Sequence, residues 1–383
     1  VKLLSVVGAR PNFMKIAPFV VAVAEHNRRV PGSTVRHVLV HSGQHYDPSL
    51  SAQFFQELGI PEPDHHLGVG SGSHAYQVGT TMIEFERVLL EERPDWVIVA
   101  GDVNATCACA LTAKKHEFRV AHIEAGLRSN DWAMPEEINR VVTDRLSDLL
   151  FTTCRFANEN LEREGVPGER VAFVGNIMID TLEAQRVRAA SRDPRDVVRA
   201  SRDAADLPPV PSLSMGEGEF GVLTLHRPSN VDDAPRLRGM LERMAALAER
   251  LPIVFPVHPR TVGRLKEFGL WEGLAANPRL VAVRPLGYLD FLSLTMSARL
   301  VMTDSGGIQE ECCVLGTPCL TLRENTERPA TLAENGGTNR LVGSDPGKVA
   351  EAFNAVWALK RRPSRPPLWD GHAAERIVAR LVS

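Results

Sequence analysis

Short apolar runs that stop at a glycine or a polar residue and give way to a helically spaced segment recur along this chain, and few architectures accept that rhythm. Residues 3–7 stop at Gly8, 35–40 at His41-Ser42-Gly43, 96–100 at Gly101-Asp102 and 120–123 at Glu124-Ala125-Gly126. Residues 149–152 and 171–174 continue the series. Runs this short and this uniformly apolar read as strands covered on both faces, and the amphipathic segments between them read as crossover helices. The expected result is an α/β architecture with parallel sheets.

Between residues 186 and 219 the rhythm breaks. Arg and Asp crowd together there, and Pro208-Pro209-Val210-Pro211 and Met215-Gly216-Glu217-Gly218 discourage regular structure. A second series then runs through 220–225, 253–257, 280–283, 300–303 and 318–322. We therefore expect two domains of like build separated by an irregular hinge over 184–219, with a last helix over 373–382 after the proline-rich 363–367. The architecture repeats, but no sequence repeat accompanies it. In open α/β sheets ligands bind at the C-terminal ends of the strands, and two such domains would present those ends to an inter-domain cleft.

A chain of 383 residues can bury two such cores. Its formal charge of −3 gives no basic footprint for nucleic acid and no polybasic patch for a membrane, so an anionic ligand would need a local site. Cys107, Cys109, Cys154, Cys312, Cys313 and Cys319 show neither CxxC nor zinc-site spacing, which points to buried small hydrophobes in a reducing compartment and to no metal. No apolar run has the length of a membrane span, and the start lacks a signal-peptide pattern. The expected location is cytoplasmic.

The most suggestive turn follows the run at 300–303. Asp304 halts it, Ser305-Gly306-Gly307 opens a helical segment, and Glu310 and Glu311 come one turn later. Free N–H groups and the positive end of the helix dipole favour a phosphate at such a turn, and a carboxylate beyond it could accept from ribose hydroxyls. An ordinary βα connection with a capping Ser explains the same residues. Arg10, Asp102, Glu124, His226 and His258 also follow apolar runs directly, Lys15 lies close behind Arg10, and Glu136 opens the segment Met134-Pro135-Glu136-Glu137-Ile138-Asn139-Arg140. Singly, each reads as easily as a helix cap, a satisfied strand-end histidine or a solvated cation. Together, three carboxylates, a histidine and two cations facing one cleft need a ligand or shared protons to hold them.

In order and spacing, Gly8-Ala9-Arg10-Pro11 with Lys15, Gly101-Asp102, His122-Ile123-Glu124-Ala125-Gly126-Leu127-Arg128, Pro135-Glu136-Glu137-Ile138-Asn139-Arg140, residues 303–311 and Thr326-Glu327-Arg328-Pro329 resemble the non-hydrolysing UDP-N-acetylglucosamine 2-epimerases. The resemblance runs from Leu3 to about Val342. It implies a GT-B fold of two Rossmann-like domains, the first over 1–183 with a C-terminal helix over 368–383 returning to it, the second over 220–367. It further implies interconversion of UDP-GlcNAc and UDP-ManNAc without cofactor or metal, by anti elimination of UDP to a 2-acetamidoglucal and re-addition. Family members are commonly homodimers.

Carried onto this chain, the resemblance gives Asp102, Glu124, Glu136 and His226 catalytic positions. It gives Ser305, Gly306 and Gly307 the diphosphate, Glu311 the ribose, Arg328 another part of the UDP and Phe291 the uridine pocket. Arg10 and Lys15 would face the phosphates, and His258 joins the substrate-binding set. Release of UDP and free N-acetylmannosamine, action on a UDP-2,3-diacetamido uronic acid, a GT-B glycosyltransferase and a non-catalytic sugar-nucleotide sensor are the alternatives. The chain departs from the best-known bacterial members at Gln44-His45-Tyr46-Asp47 and at 226–232, positions that in those members help hold a second, regulatory substrate molecule, so that form of activation is not expected here. The stretch Gly68-Val69-Gly70-Ser71-Gly72-Ser73-His74 reads either as a loop that closes over the cleft or as a surface turn.

Overall fold

The computed structural model describes residues 1–8, 10–32, 34–43, 55–210 and 213–383, with the side chains of Arg10 and Pro11 outside that description. Two compact units share the chain: 1–184 with 366–383, and 185–365. Among the described residues, no helix is long and apolar enough to cross a membrane.

The first unit is built on seven parallel strands: β1 (Lys2–Val7), β2 (Arg36–His41), β3 (His65–His66), β4 (Trp96–Ala100), β5 (Arg119–Ala125), β6 (Leu149–Thr152) and β7 (Val171–Phe173). Their order is β3-β2-β1-β4-β5-β6-β7, so the winding reverses between β1 and β4. Val97, Ile98, Val99 and Ala100 are buried to the last residue, as a strand sandwiched between helices requires. The polar residues follow at the strand ends.

The second unit repeats the plan with β8 (Gly221–Thr224), β9 (Ile253–Pro256), β10 (Leu280–Val283), β11 (Leu300–Thr303), β12 (Cys319–Thr321) and β13 (Asn339–Leu341) in the order β10-β9-β8-β11-β12-β13. Here the reversal lies between β8 and β11, whose Thr224 and Thr303 sit side by side in parallel register. Crevices at such reversals are where this architecture accepts ligands.

One expectation needs correction. The 184–219 stretch is not an irregular linker throughout: a helix spans Ile177–Ala190, and another spans Pro194–Asp203. Asp193 caps the second by accepting from the Arg195 N–H at 2.8 Å, Val197 and Val198 enter the second unit's core, and the buried Arg202 donates to the Ala282 carbonyl at 2.6 Å. The crowded charges are the outer face of an amphipathic helix, and irregular structure begins only after it. The stretch 68–74 is fastened at its start to the residues that follow β2, while Ser71, Gly72, Ser73 and His74 are exposed as a surface turn would be. The Val69 N–H donates to Ser42 O at 3.0 Å, the Gly70 N–H donates to Gly43 O at 2.8 Å, and Val69 is buried. Gly43 adopts φ +74°, and a Cβ there would press the Gly68 backbone at 3.2 Å, so these segments meet backbone to backbone. Gln44-His45-Tyr46-Asp47 lie outside the described residues.

The chain end is fastened to the first unit at defined points. Trp369 is buried and donates its indole N–H to the Thr153 carbonyl at 2.8 Å. Asp180 accepts from the first N–H groups of the helix Ala373–Val382, at 3.1 Å from Ala373 and 2.7 Å from Ala374. Burial pushes the Asp180 carboxyl up to about 6, a rise that these two N–H groups only partly offset. The native state therefore holds a proton that the unfolded chain releases near its ordinary value of 3.8, and stability from this group falls as pH climbs from about 4 to about 6. The effect is on the order of 2–3 kcal/mol. Urea denaturation of wild type and Asp180→Ala across that range is expected to show the wild type's advantage narrowing with rising pH. A constant gap would contradict the protonated native carboxyl.

Candidate functional site

In the first unit the polar residues gather at the ends of β4 and β5, which are hydrogen-bonded neighbours. The β5–β6 register shifts between Ile123 and Ala125, and Glu124 takes a left-handed φ of 73°. For a residue with a Cβ this costs on the order of 1 kcal/mol or more, and it re-aims the side chain as bulges do. The Glu124 carboxylate meets the Lys15 ammonium in a salt bridge whose side chains are only 3% and 5% exposed. Gly101 makes room for this pair, because a Cβ there would lie 2.6 Å from Lys15 Nζ. Lys15 is thus held against Glu124. The side chain of Arg10 lies outside the described residues.

The helix Pro135–Leu146 sorts the charged residues of its opening segment. Glu137 is buried and clamps the preceding loop, accepting from the Ser129 and Asn130 N–H groups at 2.9 Å each and from Arg140 Nη2 at 2.7 Å. Burial alone would raise its pKa, but those donors bring the carboxyl below its ordinary value. Arg140 reaches past Glu137 to pair with the Asp102 carboxylate, and Asn139 donates to the Asp102 carbonyl at 2.9 Å. Glu136, directly before Glu137, is half-buried. Asp102 and Glu124, which sit on adjacent strand ends, are therefore paired with different cations, Arg140 (shared with Glu137) and Lys15.

In the second unit His226 follows β8 and Asp304 follows β11, so the two face each other at the reversal of the sheet. Asp304 is fully buried and accepts from the His226 N–H at 2.9 Å, the Arg227 N–H at 2.9 Å and Asn230 Nδ2 at 3.1 Å. Its fourth partner is His226 Nδ1 at 2.8 Å. Burial opposes ionisation of Asp304, yet the histidine and the N–H groups hold its carboxyl well below the usual carboxylate range. The pairing fixes the imidazole and leaves Nε2 as the working nitrogen of a side chain 35% exposed. His258 lies beside it, ring centres 5.7 Å apart, and caps the helix Pro259–Glu267 by accepting from the Arg260 N–H at 3.2 Å.

The turn after β11 opens the helix Gly306–Leu315, and Ser305 makes no side-chain cap bond to it. Gly306 is required for a spatial reason: a Cβ there would lie 2.4 Å from Glu327 Oε1. Arg323 braces Glu327 at 2.7 Å, and Gln309 accepts from Thr326 Oγ1 at 2.7 Å, which draws the 326–329 segment onto the turn. Arg328 thereby arrives beside the turn, with Nε 3.2 Å from Glu310 Oε1. Glu311 is buried and accepts from the Tyr288 hydroxyl at 3.0 Å, and burial pushes its carboxyl up to about 7. Phe291, partly buried, stands one turn beyond Tyr288 on the helix Tyr288–Ser297. Among the described residues no group of His, Cys, Asp and Glu is placed to hold a metal ion.

Each unit thus collects its own share of the residues picked out in the sequence: Asp102, Glu124 and Lys15 with Glu136 nearby in the first, and His226, His258, Ser305, Gly306, Gly307, Glu311, Phe291 and Arg328 in the second. Sequence reasoning missed Asp304, Tyr288, Glu137 and Arg140 as partners. An acid directly after an apolar run and before Ser-Gly-Gly was the available signal for Asp304, and the i, i+3 spacing of Glu137 and Arg140 was the signal for that pair.

The sequence profile described as UDP-N-acetylglucosamine 2-epimerase matches residues 29–382. The UDP-N-acetylglucosamine 2-epimerase of Methanocaldococcus jannaschii is 40% identical over 383 residues, covering 100% of this chain and 99% of that protein. Its crystal structure in complex with UDP-GlcNAc and UDP superposes with a TM-score of 0.88, again covering 100% and 99% of the two chains. The UDP-2,3-diacetamido-2,3-dideoxy-D-glucuronate 2-epimerase of Pseudomonas aeruginosa is 38% identical, over 100% of this chain and 99% of that one.

The Asp304 cluster makes a prediction independent of any ligand. Asp304→Ala strands two backbone N–H groups, the Asn230 amide and a histidine. Urea denaturation is expected to show a loss of about 3–5 kcal/mol, the size typical of breaking a buried charged pair. A loss within the range of a surface substitution, about 0.5 kcal/mol, would show that the cluster does not hold this end of the sheet.

Proposed function

The chain belongs to the UDP-N-acetylglucosamine 2-epimerase family, and on that premise we propose that it interconverts UDP-GlcNAc and UDP-ManNAc. It is a UDP-sugar 2-epimerase of the isomerase class, with the GT-B fold of its solved relatives. In the proposed reaction the C1–O bond to UDP breaks as the C2 proton leaves, giving a 2-acetamidoglucal. UDP then adds back to C1 while C2 takes a proton on the other face.

A C2 proton with no adjacent ketone is weakly acidic, so its removal depends on charge developing at C1 as the diphosphate departs. N–H groups of the Gly306–Leu315 helix start and the Arg328 guanidinium are suited to hold that diphosphate, and they lower the same barrier. Glu311 would accept from the ribose, Phe291 would border the uracil, and His226 would offer Nε2 to the sugar or the leaving phosphate. Asp102, Glu124 and Glu136 supply the acid and base. The observation that carries this reading is the separate pairing of Asp102 with Arg140 and Glu124 with Lys15 at adjacent strand ends. It keeps two carboxylates available for proton transfer in one place.

The Pseudomonas relative, as similar as the leading ones over its whole length, supports a second reading, in which the substrate is a 2,3-diacetamido uronic acid carried on UDP. Incubation with UDP-GlcNAc in D2O, followed by proton NMR, is expected to yield UDP-ManNAc with deuterium at C2. Glu124→Gln should slow that exchange by about 10²–10⁴, the range for loss of an acid or base. Free UDP with N-acetylmannosamine would instead identify the hydrolysing outcome. Turnover of the diacetamido uronate alone would select the second substrate, and absence of C2 deuterium with either sugar nucleotide would overturn the proposal.

A homodimer is the assembly this reading carries. Tyr76, Ile83 and Leu90 recur every seven residues on the helix His74–Glu92 and are 54%, 64% and 44% exposed, an apolar stripe of the kind a second copy covers. Sedimentation is expected to give twice the chain mass, and Ile83→Arg to give the monomer. A monomeric wild type would rule the dimer out.

A further inference from the structure

Beneath the three candidate carboxylates lies a buried polar chain that the reaction as described does not use. His122 on β5 is fully buried. Its Nε2 faces the Gly101 carbonyl at 2.8 Å, and its Nδ1 faces Asp144 Oδ1 at 2.7 Å. A carbonyl and a carboxylate can only accept, so both ring nitrogens donate. The other carboxylate oxygen of Asp144 accepts from the Gly126 N–H at 3.0 Å and pairs with Arg128 Nη1 at 2.7 Å. Arg128 in turn forks onto Glu164 at 2.7 and 2.8 Å. Arg128 lies between the carboxylates of Asp144 and Glu164, the kind of pairing that spares a buried network the cost of a lone charge.

The placement of the contacts is more telling than their number. Gly101 immediately precedes Asp102. His122 and Gly126 flank Glu124 two residues on either side, at the point where the strand is strained. Asp144 rides the helix Pro135–Leu146, whose first turn carries Glu136. One imidazole and one carboxylate thus touch the three backbone segments that bear Asp102, Glu124 and Glu136.

We propose that His122 and Asp144 are positioning residues that lock the β4 end, the β5 bulge and the Pro135–Leu146 helix into one frame, so that the three carboxylates keep the spacing needed for proton transfer on two faces of a sugar. This rests on the reading of Asp102, Glu124 and Glu136 as the acid–base set. Loss of the bridge leaves the carboxylates present and misplaced. A misplacement of about 1 Å is enough to cost on the order of 10² in rate, while the UDP-holding residues of the second unit are untouched.

The test uses His122→Phe, which keeps the ring volume and removes both donors, His122→Asn, which restores one donor, and Asp144→Asn, which keeps the outline of the carboxylate. The control is Leu89→Ala, a fully buried core residue of the same unit that the network does not include. With each protein, the C2 exchange rate in D2O, the KM for the sugar nucleotide and the UDP affinity by calorimetry are measured. His122→Phe and Asp144→Asn are expected to lose about 10² in kcat, with KM and UDP affinity within about twofold of wild type, and His122→Asn should recover part of the loss. Leu89→Ala should melt earlier yet keep its kcat. If His122→Phe does not fold, Asp144→Asn carries the same expectation. An unchanged kcat in a folded variant, or a parallel loss in Leu89→Ala, overturns the positioning role. A wild type that exchanges no C2 hydrogen refutes the acid–base reading itself, an outcome distinct from both.

Discussion

A carboxylate inside a protein is costly to leave without a partner, and that constraint organises both working ends of this molecule. Parallel sheets covered on both faces leave little room for charge along the strands, so the candidate acids gather at strand ends. There each acid is answered by a cation or a set of donors. Lys15 answers Glu124, Arg140 answers Asp102 and Glu137, a histidine with three nitrogen donors answers Asp304, and a tyrosine hydroxyl answers Glu311. The pattern divides acids by the partner they are given. Glu137 and Asp304 are saturated with donors and serve to hold backbone. Glu311, with a single weak donor shown, is left nearer neutrality and ready for a better one.

The two units use one topology for different ends. The winding reversal falls at the middle of the second sheet and beside the middle strand of the first, and each unit places a paired acid and base at neighbouring strand ends. In the first unit that pairing involves a bulged, strained strand end and a buried lysine. In the second it involves a histidine fixed by an aspartate beneath it. Identical scaffolding thus accepts opposite chemistries because the loops after the strands, and not the strands, carry the charge.

Much of the scaffold was legible in the sequence because its strands are uninterrupted apolar runs. Trp96–Ala100, Leu149–Thr152, Leu280–Val283 and Leu300–Thr303 could be bounded to the residue. The edge strands were not: β3 consists of two histidines and β13 of Asn-Arg-Leu, and an edge carries too little apolar character to announce itself. The helix Pro194–Asp203 was hidden by its charged outer face. At the site, the residues that follow strands could be singled out, since strand ends are where the architecture exposes side chains. Their partners could not, because Asp144 and Arg140 reach the site from a helix whose facing is a tertiary fact. Gly43 serves a close backbone approach to Gly68, a role that composition alone cannot tell from looseness.

The contact between Gly306 and Glu327 carries a consequence for how such a chain can change over time. The carboxylate of Glu327 occupies the space that any side chain at 306 would need, while Arg323 keeps that carboxylate from swinging away. Alanine at 306 would press on that carboxylate at the turn itself, and loss of the acid would cost Arg323 its salt bridge, so a change at one of these positions disturbs the packing of the others.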